Sequence, residues 1–239
     1  MHRSTPYLPL ITVEGFGLAT QPSTERNGRI GIDESGKGDY FGPLVIAAAY
    51  VNPVIERDLK LMQVRDSKRI SDPRVLQLAS DLRQVCKHSI VAIGPERYNE
   101  LYQKIGNLNR LLAWGHARAL ENLLEQVDAQ QAIADQFGDE RFILNALLEK
   151  GKHVQLVQRP KAEEDLAVAA ASILARAEFL RRLSALSEKV GTSLPKGASP
   201  SVELAARMVV KKRGQDALRT IAKLHFKTTK AVLNRSPQA

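Results

Sequence analysis

Along most of this chain, short apolar runs rich in β-formers alternate with stretches whose apolar residues recur about every 3.6 positions, and few folds accommodate that alternation. Arg29 to Asp33 and Leu44 to Val51 read as neighbouring strands separated by the turn-forming stretch Ser35 to Pro43. Ser89 to Ile93 predicts a third strand, stopped by Gly94 and Pro95. A helix is expected from Leu108 to Val127, its stripe carried by Leu108, Leu111, Leu112, Leu120, Leu123 and Leu124. Gln131 to Phe137 reads as a short buried strand, Glu140 to Lys150 as a helix stopped by Gly151, and His153 to Gln158 as a further strand. From Glu163 onward, Leu166, Ala170, Ile173, Leu174, Ala177 and Leu180 form one stripe of a long helix. The loop Gly191 to Pro200 then precedes two helices, over Ser201 to Arg213 and Gln215 to Leu224. The pattern predicts an α/β sandwich. Residues 1–28, with Pro6, Pro9, Pro22 and Gly28, predict an irregular leader with at most one strand near Leu10 to Val13, so the folded domain is expected over 29–235.

Two acids stand where the first strand gives way to a Gly-rich turn. Asp33 and Glu34 precede Ser35-Gly36-Lys37-Gly38, so their carboxylates project from a rigid edge. Alone, such a pair is more often a solvated strand end. Asp135, however, also follows an apolar strand, and an acid in that position is costly unless it is paired or metal-bound. The two sites together predict one carboxylate cluster. With no histidine or cysteine partner, such a cluster suits Mg²⁺ or Mn²⁺, which prefer oxygen ligands and serve phosphodiester hydrolysis in pairs. Gly36, Lys37 and Gly38 offer backbone N–H groups and one ammonium to a phosphate or sugar. The loop lacks the GxxxxGK[ST] pattern, which counts against a nucleotide-driven phosphotransferase.

Composition narrows the partners. The net charge is +9, and the segment from Ser201 to Ala239 supplies +7 of it, nine Lys/Arg against Glu203 and Asp216. Such clustering favours a polyanionic partner. The single cysteine, Cys86, excludes an internal disulfide, and no Cys/His spacing resembles a zinc site. No apolar run reaches membrane-spanning length and no signal-like blocks open the chain, so a cytoplasmic location, no membrane partner and a monomer are the expectations.

The run from Gly31 to Pro43 (GIDESGKGDYFGP) resembles the type 2 ribonucleases H, in the wording of the ribonuclease HIII branch. Five further segments agree in order: Asp66-Ser67-Lys68, Asn107-Leu108-Asn109 with Ala113-Trp114-Gly115-His116, Asp135-Gln136-Phe137, Leu166 to Arg176, and Leu194 to Ala198 with Lys223-Leu224-His225-Phe226. The resemblance implies a ribonuclease H-like fold, a mixed five-stranded sheet flanked by helices, with extra C-terminal helices. It implies an endoribonuclease that hydrolyses the RNA strand of RNA/DNA hybrids with two metal ions, leaving 5′-phosphate and 3′-hydroxyl ends. Asp33, Glu34 and Asp135 match the family's metal-binding acids; Gly36, Lys37 and Gly38 match the loop that grips RNA 2′-hydroxyls, the groups that separate RNA from DNA. Lys196 joins them as a substrate contact. Members of the HIII branch usually carry an N-terminal platform domain, whereas here 28 residues precede the first expected core strand. The other branch, ribonuclease HII, senses RNA-to-DNA junctions with a tyrosine in the C-terminal half; the tyrosines here are Tyr7, Tyr40, Tyr50, Tyr98 and Tyr102.

Several residues stay open at this level. Glu163, Glu164 or Asp139 would supply a fourth acid, although Glu163 to Asp165 equally read as charge pairing with a helix N-terminus. His116 reads as a packed or surface residue ahead of a catalytic base, and Trp114 as core. Asp66-Ser67-Lys68 reads as a cap or turn with a supporting role near the site. Lys196, Lys211, Lys212, Arg213, Lys223 and Lys227 are the expected phosphate contacts, and a solvated helix face is the alternative for each. A binding module without chemistry would keep the basic surface, but retention of all three acids argues for an enzyme.

Overall fold

Short runs of β-branched and small apolar residues make Arg29–Ser35 (β1) and Leu44–Val51 (β2) an antiparallel pair, Arg29 facing Val51 and Ser35 facing Val45. His88–Ile93 (β3) adds antiparallel to β2, while Gln131–Asp135 (β4) and Gln155–Arg159 (β5) add in parallel on the other side of β1. The result is the mixed five-stranded sheet expected, in the order β3-β2-β1-β4-β5. The structure is a computed structural model and describes residues 28–136 and 138–234. The expected strand at Leu10 to Val13 lies outside the described residues, as does Phe137.

Helices cover both faces. On one side lies Leu166–Val190 (α6), whose first half buries Ala167, Ala169, Ala170, Ala171 and Ala175; side chains this small let the helix axis approach the sheet closely. Around it pack Pro53–Leu61 (α1), Asp72–Val85 (α2), Pro200–Arg213 (α7), Ala217–Ile221 (α8) and Lys227–Leu233 (α9). The other face carries Pro95–Ile105 (α3), Leu108–Leu124 (α4) and Glu140–Ala146 (α5). Among the described residues, no helix is long and apolar enough to cross a membrane.

The sequence reading passed over α1, α2, α3 and α9. The first three each open on proline in the first turn, after Asn52, Ser71 and Gly94. Proline there forfeits an N–H that has no helical acceptor anyway and supplies the required φ, so Gly94-Pro95 starts a helix as well as stopping a strand. Other boundaries shift. β1 runs two residues past Asp33, β4 stops at Asp135, α4 stops at Leu124, and β5 starts at Gln155 after a 3₁₀ turn, Gly151–His153. α5 ends at Ala146 and α8 spans only Ala217–Ile221. Trp114 is 39% exposed and is not core. It shares the outer ridge of α4 with the exposed Arg110 and Arg118, four residues to either side.

Candidate active site

Successive residues of a strand point to opposite faces of its sheet, so the adjacent acids at the end of β1 meet different helices. Asp33 turns toward α6 and is hydrogen-bonded to Ser172; Glu34 turns toward α4, where its Oε2 lies 3.1 Å from His116 Nε2. Asp135 ends the neighbouring strand β4, and its Oδ1 accepts from the Ala162 N–H at 3.4 Å. All three acids line one open cavity of about 560 Å³, together with the Gly36-Lys37-Gly38 loop and Lys196. The expected acids, loop and lysine are therefore brought together.

Electrostatics separate the adjacent pair. Burial, and then the Glu34 charge, push the Asp33 carboxyl up to about 7, against the Ser172 hydrogen bond. Burial also opposes the charge of Glu34, but the His116 hydrogen bond and the nearby Lys37 ammonium outweigh it and hold that carboxyl below its usual range. Lys37 Nζ lies 3.5 Å from Glu34 Oε1. The Asp33 hydrogen bond extends further, because Ser172 Oγ is 2.7 Å from Ser67 Oγ. Ser67 belongs to a 3₁₀ turn, Ser67–Arg69, capped by Asp66, so the cap reading of Asp66-Ser67-Lys68 and its place beside the site both hold. Arg176, one turn beyond Ser172 on α6, donates to the Ser67 carbonyl and to Asp72 Oδ1. Ser172 and Arg176 were not singled out from sequence. They are the two polar side chains within the otherwise apolar run Leu166 to Arg176, and that contrast is the signal that would have found them.

The loop is shaped by backbone demands. Gly36 has φ +89°, and a β-carbon there would sit 2.1 Å from the Pro43 carbonyl oxygen, so only glycine closes this turn without strain. Beyond Gly38 the chain is tied to distant segments. Asp39 Oδ1 accepts from Gly197 N–H at 2.6 Å, and Tyr40 N–H donates to Gly197 O at 2.9 Å. Lys223, expected as a phosphate contact, is instead completely buried: its Nζ donates to the carbonyl oxygens of Asp39 at 2.7 Å and Gly42 at 2.8 Å. A lysine in sequence signals charge; here the charge is spent on backbone carbonyls.

Burial pushes the Lys223 amine down to about 7, below its ordinary 10.5. The unfolded chain therefore holds this proton through a pH window in which the folded chain releases it, and stability from this group rises with pH between about 7 and 10.5. In urea unfolding from pH 6.5 to 9.5, the stability of wild type relative to Lys223→Met is expected to rise, by on the order of 1 kcal/mol or more. A difference that stays flat would mean the buried amine remains charged throughout.

The other expected cations are placed as follows. Lys196 lines the cavity and pairs with Asp72 at 2.5 Å. Lys212 and Arg213 donate to the carbonyls of Gly191 and Val190 at the end of α6, a helix-capping use of their charge. Lys211 and Lys227 are exposed. Of the open acids, Asp165 caps α6 through Ala167 N–H and takes both of its oxygens to Arg29 Nε, at 3.0 and 2.8 Å. Glu163 and Glu164 line a different cavity beside Arg65, Arg69 and Lys161. Asp139 caps α5 and pairs with Arg141 at 2.5 Å. None of Glu163, Glu164 and Asp139 lines the acid cavity. Among the described residues, no three acid or imidazole side chains are drawn together into a ready-made metal cage.

The family model described as Ribonuclease HII matches residues 30–229. The chain belongs to the ribonuclease HII family. Within this family it is 48% identical over 231 residues to the ribonuclease HIII of Protochlamydia amoebophila (strain UWE25), covering 96% of this chain and 76% of that one. The ribonuclease HIII of Chlamydia pneumoniae is 46% identical over 203 residues, 84% of this chain and 68% of the relative. Among solved structures, Bst-RNase HIII in complex with Mn²⁺ superposes with a TM-score of 0.81 at 32% identity, covering 88% of this chain and 70% of that one. Family membership makes this chain a type 2 ribonuclease H enzyme with a ribonuclease H-like fold.

Proposed function

We propose that this chain is an endoribonuclease that hydrolyses the RNA strand of RNA/DNA hybrids with divalent metal ions, leaving 5′-phosphate and 3′-hydroxyl ends. The observation that carries the reading is the meeting of Asp33, Glu34 and Asp135 in one cavity with the Gly36–Gly38 loop. The donor set fits a hard divalent cation: it consists of oxygens only, and the burial and neighbouring charge that push the Asp33 carboxyl up to about 7 would be relieved by a dication held in the cavity. Asp33, Glu34 and Asp135 would hold Mg²⁺ or Mn²⁺. Bound as a pair, such ions supply an activated water and a counter-charge for the departing oxygen.

The rest falls to the chain itself. Backbone N–H groups of Gly36 to Gly38 approach the sugar edge without side-chain obstruction and read 2′-hydroxyls. The Lys37 and Lys196 ammoniums at the cavity rim attract the phosphate. The Ser67–Ser172 relay keeps Asp33 in place, and residues 29–235 act as one catalytic domain. The test is cleavage of an end-labelled hybrid with Mg²⁺, with Mn²⁺ and with EDTA, followed by ligation of the products. Metal-dependent cuts in RNA alone, yielding ends that ligate without prior phosphorylation, are expected. Cutting in EDTA, or cutting of the DNA strand, would overturn the proposal.

A further inference from the structure

We propose that His116 is a positioning residue for the reaction: its buried imidazole donates from Nε2 to Glu34 and fixes the direction in which that carboxylate faces the cavity. The inference rests on the reading of the acid cavity as a metal-dependent nuclease site. It starts from the sheet register. Glu34 lies opposite Ile46 in the β1–β2 pairing, and Ile46 is the residue against which Gly115 of α4 packs. A β-carbon on Gly115 would sit 2.6 Å from Ile46 Cδ1, so the absence of a side chain at 115 lets α4 close on β2 at this level. The next residue of α4 is His116. It is 0% exposed, and its Nε2 reaches Glu34 Oε2 at 3.1 Å.

A fully buried imidazole needs a reason to be there, because an apolar residue at this position of α4 would pack at lower cost. Its neighbours Leu112, Ala113, Ala117 and Leu120 are all buried and apolar. The other oxygen of Glu34 faces the half-exposed Lys37, at 3.5 Å. Glu34 is thus gripped on one oxygen from inside the core and left with the other toward the cavity. Partners that orient a ligating carboxylate typically change metal affinity or activity by about 10- to 100-fold when removed. His116 does not itself line the cavity and reaches it through Glu34, which does.

The experiment compares His116→Leu, which fills the space without a donor, with His116→Gln, whose Nε2 amide donates from a similar distance. For His116→Leu, kcat on a uniform hybrid should fall about 10- to 100-fold with KM within about twofold, and Mn²⁺ alone, titrated calorimetrically into the full chain, should bind about 10-fold more weakly. His116→Gln should recover most of both. Gly115→Ala, which pushes α4 off Ile46, should show the same kcat loss with His116 intact. Wild-type kcat and Mn²⁺ affinity in His116→Leu would overturn the proposal, as would equal losses in the leucine and glutamine variants. If wild type fails to cut hybrid at all, the nuclease reading falls, while the calorimetry still reports whether His116 positions Glu34.

Discussion

Asp33→Asn and Asp135→Asn are each expected to lower hybrid cleavage by at least about 10²- to 10³-fold while leaving the fold and most of the hybrid affinity intact. The two carboxylates sit at strand ends over a cavity, so the core loses nothing when either becomes an amide. For Asp33 the change even removes a penalty, since burial and Glu34 already push its carboxyl up to about 7. Asp33→Asn should therefore melt no lower than wild type without metal at pH 8, and should lose the stabilisation that Mn²⁺ gives wild type. Single-turnover cleavage, melting curves with and without Mn²⁺, and hybrid binding in EDTA separate these effects. Near-wild-type turnover in either variant would remove the acid cluster from the chemistry.

A substrate comparison should show an effect of similar size. A uniform hybrid is expected to be cut about 10²-fold or more faster than a duplex with one ribonucleotide embedded in DNA. The argument is one of contacts. Ribonuclease HII enzymes, by the resemblance set out above, read the junction with a tyrosine in the C-terminal half, and no tyrosine follows Tyr102 in this chain. Tyr7 lies outside the described residues; of the others, Tyr40, Tyr50 and Tyr98 are buried, and Tyr102 stacks on His225 with ring centroids 4.3 Å apart. Binding energy must then come from several consecutive 2′-hydroxyls over the Gly36–Gly38 loop, and a lone ribonucleotide offers one. Comparable rates on the two substrates would show that another part of the chain reads the junction.

Much of the fold was legible because it rests on local pattern. The β1 and β2 runs, the leucine stripe of α4 and the alanine-rich stripe of α6 each show their period within a few turns, and the acids that end β1 and β4 stand out against apolar neighbours. What escaped was decided over distance. Lys223 reads as a surface cation until the carbonyls of Asp39 and Gly42 close around it, and nothing near residue 223 announces them. His116 meets Glu34 across 82 positions of sequence. Trp114 differs, because its position was legible locally: Arg110 and Arg118, four residues to either side, share its helical phase and mark the outer face of α4.

The tie between Lys223 and the turn at Asp39–Gly42 also bears on synthesis. At roughly 5 to 20 residues per second, the ribosome needs on the order of 10 to 40 s to pass from the loop at Asp39–Gly42 to the lysine that clamps it. Gly197, the loop's other anchor, arrives only shortly before. During that interval the acids of β1 exist on the nascent chain without the contacts that set the glycine turn beside them. The turn beside those acids is thus set only once chain 158 and 184 positions further along has been made.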